Sequence, residues 1–141
     1  MKKQFSICVD KAIIICEHNR EIKNAKKILL FCHGFPGSSR LVSLYDNLKN
    51  NSISIVEINY RGDKKSEGKF SFLGSIIDIK TVVIFLREKY KLPIHALGYS
   101  MGGFYVSNII NNEPNVFEKV ILLNPVVDSM ALFSNKLLMD E

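Results

Sequence analysis

The chain has no tryptophan, only three cysteines and no apolar run close to the length of a membrane span. A bilayer-spanning helix needs about 20 consecutive apolar residues, and Asp10 and Lys11 interrupt the first apolar stretch, so we predict neither a membrane span nor a signal peptide. These absences favour a cytoplasmic protein. An odd number of cysteines without metal-site spacing indicates reduced, buried thiols. They are Cys8, Cys16 and Cys32.

Positive charge is present but is not concentrated. The net charge is +5, yet the lysines are spread along the chain and cluster only in short pairs such as 26–27 and 64–65. A nucleic-acid interface needs basic residues gathered on one face, preferably within a known binding motif. We therefore expect no nucleic-acid partner, and no motif implies a metal or an organic cofactor.

The apolar residues alternate between strand-like and helix-like patterns. The length of 141 residues suits one domain with a real core, and alternating strands and helices predict an α/β fold with a doubly wound, mostly parallel sheet. Two short runs joined at Asp10-Lys11 predict an N-terminal hairpin. The predicted strands cover 5–9, 12–16, 28–32, 53–60, 94–97 and 120–123, and the predicted helices cover 41–48, 75–90, 101–110 and 130–139.

The most informative stretch is 98–103, which reads Gly-Tyr-Ser-Met-Gly-Gly. Gly-x-Ser-x-Gly is the pattern of a nucleophile elbow, a strained strand-to-helix turn that exposes a serine hydroxyl. Gly98 and Gly102 let such a turn close without a Cβ clash, and Ser100 falls between a predicted strand and a predicted helix. The alternative is an ordinary glycine-rich turn. A phosphate-binding loop fits less well, because neither Gly-x-Gly-x-x-Gly nor a Gly-Lys-Ser ending is present.

A second stretch, 33–37, reads His-Gly-Phe-Pro-Gly and follows a predicted buried strand. Acyl transfer passes through an oxyanion that two backbone N–H groups can stabilise. The residue after the nucleophile supplies one donor and a loop after an earlier strand supplies the other, so we name Met101 and Phe35. Gly34 would allow close approach, and His33 is interpreted as bracing the loop. The alternative is a simple glycine- and proline-containing turn.

With the stretch 60–68, Tyr-Arg-Gly-Asp-Lys-Lys-Ser-Glu-Gly, these blocks resemble the N-terminal part of the α/β-hydrolase superfamily. The resemblance is to serine esterases, monoacylglycerol-lipase-like enzymes and serine aminopeptidases. The block 60–68 is similar to the family's Arg-Gly-x-Gly-x-Ser-x-Gly loop, with Lys64 where glycine is usual. The match covers about residues 25–128, and 123–125 resembles the strand end that precedes the lid.

The resemblance implies a reaction as well as a fold. Ser100 would be the nucleophile, with Phe35 and Met101 as the oxyanion amides. The substrate would be a small acyl compound, namely an ester, thioester or amide, cleaved through an acyl-serine intermediate without a cofactor. The substrate itself is not specified by these residues.

The family's catalytic acid and histidine are the parts not found. The three histidines, His18, His33 and His95, all precede Ser100, whereas the elbow hydrolases place the acid and then the histidine after the serine. At about 3.3 Å per residue, His95 lies roughly 16 Å from Ser100 along the predicted strand. Asp128 follows a strand end but is better interpreted as a helix cap. We therefore expect little or no turnover from this chain alone.

The predicted strand 120–123 has nothing after it to pair beyond it, although four consecutive apolar residues suit an interior strand. The apolar stripe in 130–139 also has little left to cover it. The sequence therefore predicts a C-terminally truncated sheet. Two alternatives to an impaired hydrolase remain. One is a non-catalytic binding domain that keeps the fold, and the other is one half of a split hydrolase that self-associates or pairs with a complementing chain at this edge.

Overall fold

The computed structural model of the protein describes residues 3–34, 52–63 and 65–128. Within these ranges the chain forms six strands and two α-helices, with a short 3₁₀ turn at Ile22–Asn24. The predicted helices at 41–48 and 130–139 lie outside the described residues. The strands are β1 (Lys3–Val9), β2 (Ala12–His18), β3 (Lys27–Cys32), β4 (Ile53–Asn59), β5 (Ile94–Tyr99) and β6 (Val120–Leu123), and the helices are α1 (Phe72–Tyr90) and α2 (Met101–Asn112).

All six strands join one sheet in the order β1-β2-β4-β3-β5-β6. The four strands from β3 to β6 run parallel, whereas β2 is antiparallel to both β1 and β4. Parallel neighbours need a crossover connection, and α1 and α2 supply the crossovers that lead into β5 and β6. The prediction of a mostly parallel α/β sheet with an N-terminal hairpin is confirmed.

The hairpin turns tightly at Asp10 and Lys11. Val9 pairs with Ala12, so the loop has two residues, and both have positive φ, at 49° and 69°. A two-residue turn with positive φ at both positions matches the right-handed twist of the strands. Side chains alternate along β1, so that Cys8 points outward and is exposed. The prediction that all three cysteines are buried is therefore wrong for Cys8.

The continuous apolar run in β3 is buried on both faces, as expected for a central parallel strand. Alternate side chains enter two different clusters. Ile28, Leu30 and Cys32 join the larger cluster, to which α1 and α2 contribute. Leu29 and Phe31 join a smaller cluster on the opposite face.

Helix α1 begins three residues earlier than the pattern predicts. Ser71 adopts an extended conformation and its hydroxyl accepts a hydrogen bond from the N–H of Gly74 (3.1 Å), which makes it the N-cap. The helix ends at Tyr90, because Lys91 takes a left-handed conformation with φ 53° and Pro93 follows two residues later. Neither helix of the described ranges is long and apolar enough to cross a membrane.

Candidate active site

Ser100 lies at the turn between β5 and α2 with φ 53° and ψ −119°. A positive φ in a non-glycine residue is costly and tends to occur at functional sites. The hydroxyl does not cap α2, although Ser100 occupies the N-cap position. The backbone is therefore strained where the strand passes into the helix, and the side chain of Ser100, a half-buried residue, does not cap the start of α2.

Two glycines allow the backbone of this turn to pack closely, with Gly102 directly against the end of β3. A Cβ on Gly102 would lie 1.9 Å from the carbonyl oxygen of Cys32, and a Cβ on Gly98 would lie 2.7 Å from the Cα of Gly103. Neither clash could be relieved by moving a flexible side chain, since the atoms met are backbone atoms. The glycines flanking Ser100 are thus required by packing.

The backbone of Ser100 is held by the segment that contains β6. The N–H of Ser100 donates to the carbonyl of Leu123 (3.1 Å), and the carbonyl of Ser100 accepts from the N–H of Val126 (3.0 Å). It also accepts from Gly103 in the first turn of α2 (3.0 Å). The position of the hydroxyl consequently depends on the end of β6.

The loop that follows β3 passes beside the hydroxyl. A Cβ on Gly34 would lie 3.4 Å from Ser100 Oγ and 3.1 Å from Ser100 Cβ. Gly34 is therefore where the chain comes close to the serine. Phe35, the predicted oxyanion donor, lies outside the described residues. Met101 is buried and begins α2, where N–H groups have no acceptor within their own helix.

His33 is buried next to this loop, and both of its ring nitrogens face groups other than Ser100. Nδ1 is 2.6 Å from the carbonyl oxygen of Gly34, and Nε2 is 3.5 Å from Oδ2 of Asp63. The carbonyl of His33 accepts a hydrogen bond from the hydroxyl of Tyr60 (2.9 Å). A general base must present a ring nitrogen to the proton it removes, and His33 presents neither nitrogen to Ser100.

The other two histidines lie elsewhere. The Nδ1 of His18 is 2.7 Å from the carbonyl oxygen of Arg20 at the end of β2. His95 is the second residue of β5, whereas Ser100 follows the last. Burial, and then the positive charge of Lys27, lower the pKa of His95. The structure therefore brings none of the three histidines to the Ser100 hydroxyl as a base. Asp128 is exposed beyond the end of β6.

Cys32 is the other nucleophile type close to this turn, and it is unsuited to the role. Its side chain is fully buried, and burial raises the pKa of the thiol to about 12. The thiolate is the reactive form of cysteine, so Cys32 remains protonated and unreactive near neutral pH. Of the two side chains, that of Ser100 is the more exposed.

The loop 60–68 is fastened by side chains that the sequence analysis did not identify. Arg61 donates to both carboxylate oxygens of Asp78 on α1, from Nη2 to Oδ1 (2.7 Å) and from Nε to Oδ2 (3.2 Å), and Asp78 is fully buried. This hydrogen bonding raises the pKa of the Arg61 guanidinium. The hydroxyl of Ser66 accepts from the N–H of Ile15 (2.9 Å) on β2. The loop is therefore fixed to a helix and to a strand at once.

Asp63, in the same loop, was also missed. Its partner His33 is 30 positions earlier in the sequence, so no local pattern relates the two residues. The available signal was the block 60–68 itself, which resembles a family loop but does not show what its first acidic residue, Asp63, contacts. Among the described residues no group of three His, Cys, Asp or Glu side chains could hold a metal ion.

A family model described as serine aminopeptidase S33 matches residues 23–139, which is most of the chain. The chain is a member of the serine aminopeptidase S33 family. Within this α/β-hydrolase family, the chain is 25% identical over 130 residues to a protein named monoglyceride lipase homolog from Monkeypox virus. That alignment covers 88% of this chain and 47% of the viral protein, so this S33-family chain spans about half the length of that relative.

Solved structures show the same fold. An esterase of Pyrococcus furiosus matches with a TM-score of 0.77 and 20% identity, over 100% of this chain and 59% of that one. Est1E of Butyrivibrio proteoclasticus, solved with ferulic acid bound, matches with a TM-score of 0.75 and 22% identity, over 86% of this chain and 52% of that one. An alpha-beta serine hydrolase homologue from Coxiella burnetii matches with a TM-score of 0.77 and 20% identity, over 90% of this chain and 64% of that one.

Proposed function

We propose that this S33-family chain carries the nucleophile and the oxyanion site of a serine hydrolase. Ser100 would attack the carbonyl carbon of an ester, thioester or amide and form an acyl-serine that water then hydrolyses. The observation that carries the proposal is the conformation of Ser100. Its φ is 53°, and its hydroxyl, which does not cap α2, lies at the end of β5 beside Gly34. The small-molecule acyl substrate and a cytoplasmic location are part of the proposal.

The oxyanion formed in the attack needs two N–H donors. The amide of Met101 is one, because it lies in the first turn of α2 directly after Ser100. The amide of Phe35 is the second in this proposal, and its support is that the preceding residue, Gly34, lies against the serine side chain. The N-terminal end of α2 also favours negative charge through the helix dipole.

The proton of Ser100 needs an acceptor, and the leaving group needs that proton back. His33 has both nitrogens directed at other groups, and His95 lies at the far end of β5. We therefore propose that an acid and a histidine outside these residues complete the site. Without them, catalysis over the uncatalysed reaction is limited to roughly 10³–10⁴-fold from the oxyanion site and binding.

The relatives support the carboxylic-ester class. One is named a monoglyceride lipase homolog, one is named an esterase, and Est1E was solved with ferulic acid bound. These names describe the relatives, and for this chain an ester is the first substrate class to test.

The test is covalent labelling of the purified chain with a fluorophosphonate, followed by mass spectrometry of the peptide that carries the adduct. We expect a single adduct on Ser100, which Ser100→Ala removes. The matched control is Ser107→Ala, since Ser107 is a half-buried serine on the same helix, and this variant should keep the adduct. An adduct that persists in Ser100→Ala, or no adduct even when a histidine-containing polypeptide that co-purifies with the chain is present, contradicts the proposal.

Turnover is a separate measurement. The chain alone should hydrolyse p-nitrophenyl esters hardly faster than the Ser100→Ala variant. Ordinary enzyme rates that depend on Ser100 would show that the chain supplies its own base.

A second candidate, a complemented assembly, is favoured by the exposure of β6. Ile121, Leu122 and Leu123 are 55%, 39% and 41% exposed on the outermost described strand. A free apolar edge is a template for pairing with another chain. Activity restored by a histidine-containing polypeptide that co-purifies with this chain would support the assembly. Ser100 that stays unreactive beside such a polypeptide would favour a non-catalytic binding domain.

A further inference from the structure

Strand β6 ends with a change of register, and this change lies beside Ser100. Up to Leu123 the ladder between β5 and β6 is regular, with Tyr99 opposite Leu123. In a regular parallel ladder the N–H and the C=O of one residue bond to the two neighbours of the residue opposite it. The N–H of Ser100 donates to the carbonyl of Leu123 (3.1 Å). Regular pairing would therefore require the N–H of residue 125 to donate to the carbonyl of Ser100.

Residue 125 is a proline, which has no N–H to donate. The hydrogen bond comes instead from the next residue, Val126, whose nitrogen is 3.0 Å from the carbonyl oxygen of Ser100. Asn124 and Pro125 thus lie opposite the single residue Ser100, which is the arrangement of a β-bulge. Bulges are frequent next to active sites, where they redirect a side chain.

The extra residue is accommodated by the backbone of Asn124, which has a φ of 43°. Asparagine is one of the few non-glycine residues that adopt a left-handed conformation readily, whereas a β-branched residue is strained there. A residue that precedes a proline normally adopts an extended conformation. Asn124 departs from that preference, so its conformation is held by the surrounding contacts.

Those contacts are made by closely packed backbone. A Cβ on Gly103 would lie 2.6 Å from the Cβ and 2.9 Å from the Cα of Pro125, and a Cβ on Gly98 would lie 2.7 Å from the Cα of Gly103. The N–H of Gly103 also donates to the carbonyl of Ser100 (3.0 Å). Val126 packs against the larger core cluster. Both donors to the Ser100 carbonyl are therefore fixed by packing, one on α2 and one after the bulge.

We propose that Asn124 is a positioning residue for Ser100, acting through the bulge at the end of β6. Ser100 has a φ of 53°, and such a conformation persists only where its surroundings hold it. The bulge brings the N–H of Val126 to the carbonyl of Ser100 and so holds the direction of the serine side chain. The effect on reaction rate rests on the proposed hydrolase function, whereas the effect on the backbone does not.

The deciding measurement is hydrogen exchange of the Ser100 and Val126 amides, followed residue by residue by NMR. The valine of Asn124→Val opposes a positive φ, and we expect both amides to exchange about 10-fold faster. Asn124→Gly permits a positive φ and should keep both amides protected. The matched control is Asn115→Val, because Asn115 is an exposed asparagine in the preceding loop without a positive φ. The amide of Leu30, a fully buried residue on the central strand β3, reports opening of the whole sheet.

A purely structural role predicts a different pattern. If Asn124 contributed only to stability, the amides of Ser100, Val126 and Leu30 would exchange faster together in Asn124→Val. That result overturns the proposal, and so does unchanged exchange of the Ser100 and Val126 amides in a folded Asn124→Val chain.

Pro125→Ala tests the bulge from the other side. It keeps the Cα and Cβ that contact Gly103 but restores an N–H at position 125. We expect this new amide to be protected, because it can complete the regular ladder with Ser100, and the amide of Val126 to lose protection. A freely exchanging amide at position 125, with Val126 as protected as in the wild type, contradicts the assignment of the bulge to the missing donor.

The effect on reaction is measured by fluorophosphonate labelling of Ser100 at several probe concentrations, which separates probe binding from the chemical step. Displacement of a catalytic group by about 1 Å can cost about 100-fold in rate. We expect Asn124→Val to slow the chemical step about 10- to 100-fold without weakening probe binding, and Asn124→Gly to react like the wild type. An unchanged chemical step in Asn124→Val, although the two amides exchange faster, overturns the positioning role. Ser100 that stays unlabelled even beside a co-purifying histidine-containing polypeptide, with the expected exchange pattern, contradicts only the hydrolase function.

Discussion

The two outer parts of the sheet differ in the contacts that cover and hold them. On the hairpin side, the loop 60–68 is fastened to β2 by Ser66 and to α1 by the pair of Arg61 and Asp78, and Ile14 of β2 is fully buried. On the other side, β6 is the outermost described strand and leaves Ile121 more than half exposed. One side is held by specific polar contacts, and the other presents apolar side chains.

Ser100 depends on both sides. Its backbone hydrogen bonds go to Leu123 and Val126, on the β6 side. The loop beside its hydroxyl, at Gly34, is connected to the hairpin side through His33 and Asp63. The contacts therefore differ in kind, since side-chain pairs fix the loop on the hairpin side whereas backbone hydrogen bonds hold Ser100 to the end of β6. We expect the geometry of Ser100 to be more sensitive to what covers β6 than to changes in the hairpin.

The largest effect should come from removing the buried partner of Arg61. Asp78→Ala leaves the guanidinium without its main counter-charge, and breaking a buried pair costs about 3–5 kcal/mol. Asp10 contacts the same guanidinium but is 63% exposed, and exposed pairs contribute about 0–1 kcal/mol. The free energy of unfolding from urea titrations should therefore fall severalfold more for Asp78→Ala than for Asp10→Ala. Equal losses of unfolding free energy would mean that the buried Asp78 stabilises the hairpin side no more than the exposed Asp10 does.

Matched isoleucine substitutions compare the sides directly. Ile14→Ala on the hairpin side empties a fully buried site and should cost about 2–5 kcal/mol. Ile121→Ala on β6 should stay within about 0.5 kcal/mol, because the side chain is 55% exposed. Urea unfolding at low and high protein concentration measures both. A cost for Ile121→Ala that approaches that of Ile14→Ala, and grows with concentration, would show that another copy covers β6.

The smallest effect concerns the start of β5, at His95. Burial lowers the pKa of His95 in the folded chain, so below the unfolded value of about 6.5 the unfolded chain binds the proton more readily. Stability should therefore decline as the pH falls from about 6.5 to the lower folded value, and level off below it. His95→Gln should show a shallower decline in unfolding free energy over that interval. An identical pH dependence in both chains would contradict this assignment.

Several elements could be predicted from the sequence because short-range rules govern them. The two-residue turn at Asp10 and Lys11, the alternation of strands and helices, and the glycines around Ser100 depend on neighbouring residues alone. The start of α1 was misplaced, because the capping hydroxyl of Ser71 extends the helix beyond its apolar pattern. The exposure of Cys8 was missed, because its face of β1 is decided by the register of the hairpin.

The catalytic assignments remain predictions, and they differ in whether the structure describes the residues concerned. The backbone of Ser100 and the approach of Gly34 are now described and agree with an elbow geometry. The amide of Phe35 lies outside the described residues, and the chemical roles of Ser100, Met101 and Phe35 stay predictions. The contact between Asp63 and His33 could not be predicted, because it joins loops that become neighbours only when β3 and β4 pair.

The sequence by itself determined the turn at Asp10 and Lys11, the burial of the run in β3, and which serine lies at a glycine-flanked bend, since φ/ψ preferences and side-chain periodicity act over a few residues. Only the tertiary structure decided that Asp78 neutralises Arg61, that Asp63 meets His33, and that the backbone of Ser100 is hydrogen-bonded to Leu123 and Val126. Those contacts depend on strand order and register, which bring together groups far apart in the chain.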